Sequence, residues 1–225
     1  ISAFLFSCTK KKEEEVVPTI YSNCKLTIPA GSASVSIGGF PRNEYRLAST
    51  GTVNATVIMV DFPDAPASKT PAQAYAMISG ATATFNEVSY GRMQYTLNPH
   101  YQWFRMSKNS TEYSFSTYAN HLEYIQEALS LADSSVNFST TDTLVILANP
   151  DATGIGNSGP AMNVYPGLGV TADGKEMLNI VTSAYDLNTW GSIWLNHETT
   201  HNMGLIDLYA YTQQDNTNPY DTLRY

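Results

Sequence analysis

Only four histidines occur in 225 residues, and two of them stand four apart in the stretch WLNHETTHNMGLIDLY, Trp194 to Tyr209. On an α-helix, residues at that spacing lie one turn above each other on one face, so the imidazoles of His197 and His201 can aim at one point. Two nitrogen donors from one helix face are the bite that a tetrahedral zinc ion needs. Glu198 is rotated away from both, which suits it to reach a water in the ion's open position, not to ligate. Zinc lowers the pKa of that water toward neutrality, and a carboxylate beside it can take the proton as attack on a carbonyl begins. The spacing therefore predicts Zn2+ as cofactor, His197 and His201 as ligands and Glu198 as general base. A helix whose histidines only pack or cap is the plain alternative.

The residues that follow favour the metal. Gly204 can leave the helix with positive φ and let the chain fold back under the ion. Asp207 comes ten residues after His197, the position of the third histidine in the longer HExxHxxGxxH signature. A carboxylate oxygen is an acceptable third zinc ligand. Taken alone, Asp207 also fits a turn residue, or a hydrogen-bond partner that orients one of the histidines.

These side chains need a scaffold, and the pattern predicts an α/β or α+β sandwich with one main sheet. Val53 to Phe62 is β-branched, ends at Pro63 and reads as a buried strand. Pro71 to Val88 has near-helical spacing, with Pro71 suited to a first helical turn. Met93 to Met106 reads as one or two strands. Asn120 to Ala132 reads as an amphipathic helix with Leu122, Ile125, Leu129 and Ala132 on one face. Thr143–Ala148 and Leu178–Thr182 read as strands, and Trp190 to Met203 as the helix that carries the histidines. Residues 149–176 read as loop, because their glycines complete neither a phosphate-binding GxGxxG frame nor a Lys-Ser/Thr ending. Other chemistry-bearing residues are given structural roles. His100 and His121 lack metal spacing. Asp61 and Asp64 flank a strand end and read as hydrogen-bonded caps, with calcium as the other option. Trp190 and Trp194 read as core or cleft lining, and Tyr209 as packing.

A net charge of −8 excludes a broad nucleic-acid footprint, since phosphate binding needs clustered Lys and Arg. The one basic run, Lys10 to Lys12, is cancelled by Glu13 to Glu15. Ile1 to Phe6 read as the tail of an apolar signal core, too short to span a bilayer. Leu5-Phe6-Ser7-Cys8 resembles the lipobox of bacterial lipoproteins, with Cys8 the lipid-bearing residue. A charged tether follows to residue 20, then a short β-rich lead-in over 21–50, and residues 51–225 form the main domain. The predicted location is the bacterial cell envelope, periplasmic or surface-exposed, with a membrane partner through the lipid at Cys8. With Cys8 lipidated, Cys24 has no partner for a disulfide.

HETTHNMGLIDLY also resembles the zinc helix of the immune inhibitor A family of secreted bacterial metallopeptidases, usually written HExxHxxGxxDLY. VIMVDFPD at 57–64 is similar to that family's first strand, and FNEVSYGRM at 85–93 with WFRM at 103–106 to its helix-to-strand stretch. Residues 128–150, ALSLADSSVNFSTTDTLVILANP, resemble its second helix and central strand. The likeness runs from about residue 45 to 210. It departs at Ile206, where proline is usual, and at Ala210, where aspartate is. The resemblance implies a zincin: a twisted mixed sheet, a backing helix, an active-site helix and a cleft across the front. It assigns His197, His201 and Asp207 as zinc ligands and Glu198 as base. Set against the family, the C-terminal subdomain is expected to be truncated. The predicted activity is a zinc endopeptidase acting on polypeptides reachable from the envelope, with extended substrate held on an antiparallel edge strand. The alternative from another class is a lipid-anchored protein that keeps this scaffold only to bind peptides or proteins.

Overall fold

The computed structural model describes residues 44–155 and 161–205. Cys8, Cys24, Asp207 and Tyr209 lie outside the described residues, as do the tether and most of the lead-in. In chain order the elements are β1 (Gly51–Asp61), α1 (Pro71–Ala76), α2 (Ala81–Val88), β2 (Met93–Arg105), α3 (Tyr118–Ala132), β3 (Thr143–Ala148), β4 (Ala161–Asn163), β5 (Val170–Ala172), β6 (Lys175–Met177), β7 (Asn179–Thr182), α4 (Leu187–Trp190) and α5 (Ser192–Asn202). A five-stranded sheet runs β2-β1-β3-β7-β4. Its first three pairings are parallel, and only β4 runs antiparallel, against β7. The fold is mixed α/β on a mostly parallel sheet.

The apolar runs are continuous because both faces of the sheet are covered, and the two-residue period sorts the side chains between them. Ile58, Val60, Leu144, Ile146 and Ile180 join Tyr124, Ile125 and Leu129 of α3 in one core. Val57, Met59, Val145, Leu147 and Val181 join Ile78, Phe85, Trp194 and Leu195 in the other. α3 backs the sheet, and α5 lies on the opposite face. β2 is one strand, with an irregularity near Pro99 where its register against β1 shifts. Proline is tolerated there because β2 is an outer strand.

Three predicted elements differ in detail. The helix expected over 71–88 is two. Thr70 and Gln73 form a capping box that starts α1 (2.8 and 3.3 Å), and a break at Met77–Gly80 precedes α2. Gly80 makes that break useful, since a Cβ there would stand 3.2 Å from Oγ of Ser192 at the start of α5. The helix expected from Trp190 begins only at Ser192, because Gly191 takes φ +50° and separates α4 from α5. Trp190 therefore ends α4 and is exposed, whereas Trp194 on α5 is buried. The stretch read as loop at 149–176 holds β4 and, with Lys175–Met177, the β5–β6 hairpin. That hairpin turns at Asp173-Gly174, both with positive φ, the dipeptide such turns prefer.

The residues given structural roles have structural partners. Asp61 accepts two bonds from Arg105 (2.7 and 2.8 Å) and one from Ala67 N (2.9 Å). Asp64 accepts from Ser110 N and Oγ (2.7 and 2.8 Å), and the backbone N–H of Ser110, above all, holds its carboxyl below the usual range. His100 lies against Phe104. His121 is buried between Phe115 and Thr182, with Nε2 2.9 Å from Thr182 Oγ1.

Burial pushes the His121 pKa down from 6.5 to about 4. The unfolded chain therefore takes up a proton near pH 6.5 that the folded chain refuses until about pH 4. The stability that neutral His121 supplies is present above pH 6.5 and is lost on acidification through that window, about 3 kcal/mol at most. Urea unfolding of the parent at pH 7 and pH 4.5 should show this loss, and His121→Gln should show less of it. Equal acid sensitivity in the two proteins would refute the assignment.

Candidate metal centre

α5 gains little from its own sequence as a helix, and four tertiary ties fix it. Tyr95 on β2 is fully buried, and its hydroxyl lies 3.3 Å from Thr199 Oγ1. Asn202, also buried, reaches Ile180 O on β7 at 3.5 Å. Leu47 N–H donates to Asn202 O at 2.9 Å. Glu198 accepts from Ala161 N–H on β4 at 3.0 Å. Thr199 and Asn202 thus face the sheet, and the 3.6-residue period turns His197 outward and leaves His201 partly open.

The structure brings the two histidines together. Their rings meet nearly edge to face, with centroids 4.6 Å and Nε2 atoms 3.1 Å apart. Two nitrogens bound to one tetrahedral zinc at 2.0–2.1 Å would stand about 3.3 Å apart, so the pair already has almost the required bite.

Nδ1 of His201 lies 2.7 Å from Leu205 O, and a carbonyl can only accept, so Nδ1 carries a proton. In the neutral ring Nε2 is then the acceptor of its 3.1 Å contact with His197 Nε2, whose proton a metal would replace. The helix exit delivers that carbonyl. Gly204 takes φ +98°, Gly204 N–H donates to His201 O (2.8 Å) and Leu205 N–H to Thr200 O (3.0 Å). Together these form a Schellman ending, which turns the chain back over the last turn of the helix.

Glu198 follows His197, and its carboxylate meets the first residue of β4. Val164 N–H donates to Leu178 O at 3.0 Å, continuing the register in which Met162 faces Ile180. Antiparallel alternation then turns the backbone groups of Ala161 and Asn163 to the open side of the sheet, away from β7. The base candidate therefore engages an outward-facing group of β4, the last strand of the sheet among the described residues.

Among the described residues, no three His, Cys, Asp or Glu side chains gather as a metal cluster. The pair His197–His201 is what the described residues supply, and Asp207, the expected third ligand, lies outside them. Two imidazoles whose Nε2 atoms converge are donors of the kind zinc takes, and the neighbouring Glu198 carboxylate is engaged with Ala161 N–H. Among the described residues, no helix is long and apolar enough to cross a membrane. No family model matches the chain, and a search of curated proteins finds no match.

Sequence reasoning missed Tyr95, Ala161 and the residues around Arg46, which all support α5. Their contacts join segments far apart in the chain, and a backbone N–H leaves no mark in composition.

Proposed function

We propose that the chain is a zinc endopeptidase on a zincin scaffold. The observation that carries this reading is the convergence of the His197 and His201 Nε2 atoms to 3.1 Å. Glu198 follows His197 and meets β4 through Ala161 N–H. His197 and His201 would hold the ion, with Asp207 as the third ligand. A bound zinc supplies Lewis acidity, lowering the pKa of water and polarising a scissile carbonyl. Glu198 takes the proton from the attacking water and returns it to the leaving amine. Apart from Ala161 N–H, which Glu198 engages, the outward backbone groups of β4 would hold an extended peptide as an added strand. The same proposal includes attachment to a bacterial envelope membrane through a lipid on Cys8.

Purified protein is expected to hold one zinc per chain, to cleave an unstructured protein such as casein, and to lose that activity to a chelator and regain it with added zinc. Folded protein that takes up no zinc, or cleavage that survives complete metal removal, would reject the reading.

A further inference from the structure

We propose that Arg46 is a positioning residue for this centre, holding the exit turn of α5 in the form that orients His201. The inference rests on the metal reading of His197 and His201.

Residues 45–47 cross the elements that build the site. Leu47 N–H donates to Asn202 O at the end of α5 (2.9 Å), and the Leu47 side chain is buried in the core that includes Trp194 and Leu195. Tyr45 O accepts from Nδ2 of Asn163 on β4 and of Asn179 on β7, each at 3.3 Å. One short segment thus ties the metal helix to the edge strand and its neighbour.

Arg46 sits between these two anchors and is only 6% exposed. A Cβ built on Gly204 would fall 2.6–2.7 Å from its Nη1, Cδ and Cζ. The arginine therefore lies directly on the glycine backbone, in the volume any other residue at 204 would need. Gly204 is the one residue between Met203, which caps α5, and Leu205, whose carbonyl fixes the His201 tautomer. Pressure on that residue from outside holds the carbonyl against Nδ1. A guanidinium is suited to this place, because the last carbonyls of a helix carry partial negative charge and its flat surface can lie on a peptide plane. Removing it leaves a gap over the turn, and the turn can relax away from His201.

The test is zinc affinity, read by competition with a chromophoric chelator, together with the visible spectrum of the cobalt-substituted protein and a thermal melt. The parent, Arg46→Ala and Arg46→Lys are compared. Arg46→Ala is expected to bind zinc at least about tenfold more weakly, the range seen when a ligand loses its orienting partner, with an altered cobalt spectrum. Arg46→Lys should fall between it and the parent, keeping the charge but not the flat contact. If Arg46→Ala does not fold, Arg46→Lys decides. A folded variant with the parent's affinity and cobalt spectrum overturns the proposal, even if its melting temperature drops. A parent that binds no zinc defeats the metal reading itself, a different and separable result.

Discussion

Glu198→Ala and Glu198→Gln should each lower kcat/KM for casein by about 10²- to 10⁴-fold, the range for losing a general acid–base group, with zinc content unchanged. The pair of variants separates two ways in which Glu198 could matter. Its carboxylate accepts the Ala161 N–H at 3.0 Å, so it also braces the edge strand. Glutamine keeps a carbonyl oxygen for that contact but cannot carry a proton between water and amine. If bracing were the main role, Glu198→Gln would retain most of the activity and only Glu198→Ala would be weak. If proton transfer is the role, both are equally inactive. Activity within tenfold of the parent in Glu198→Gln would remove Glu198 as the base, and loss of zinc in either variant would move it into the ligand set.

The second large effect is expected at Gly204. Its φ of +98° lies in the region that only glycine enters freely, and a Cβ there would also strike Arg46 at 2.6–2.7 Å. Gly204→Ala should cost about 1–3 kcal/mol in backbone strain, with a further contribution from displacing Arg46. Because the exit turn carries Leu205 O to His201, the strain should reach the metal as well, as zinc binding weakened by about 10- to 100-fold. Chemical denaturation and zinc competition on the same sample measure both. A variant as stable as the parent with parental zinc affinity would mean that the turn has no part in the site.

The longer strands and the histidine pair were legible in the sequence because each is a local pattern. TLVILA at 143–148 is apolar without interruption and lies buried on both faces. The four-residue spacing of the histidines needs only a helix to make it a bite. What stayed hidden is physical in origin. Gly191 breaks the expected helix through a positive φ that an isolated glycine in an amphipathic run does not announce. Asp173-Gly174 was a hairpin signal set inside a glycine-rich stretch, and the flanking strands are only three residues each, too short for alternation to show. Arg46 is one cation in a polar lead-in, and nothing local foretells that it will be buried against the far end of the chain. The resemblance of HETTHNMGLIDLY to a metallopeptidase helix went further than periodicity, since it implied a mixed sheet with a backing helix and an active-site helix. Of that expectation, a mixed sheet with helices on both faces stands in the structure, and its mostly parallel order is a feature the sequence reading did not specify.

Among the described residues, β4 has three residues and sits at the rim of the sheet. A rim that short is a poor template for stacking whole β-sheets or for fibre growth. It can still seat a few residues of a slack, stretched-out chain. If the proposed zinc site is active, such a rim beside it would favour polypeptides that have come undone over tightly folded ones.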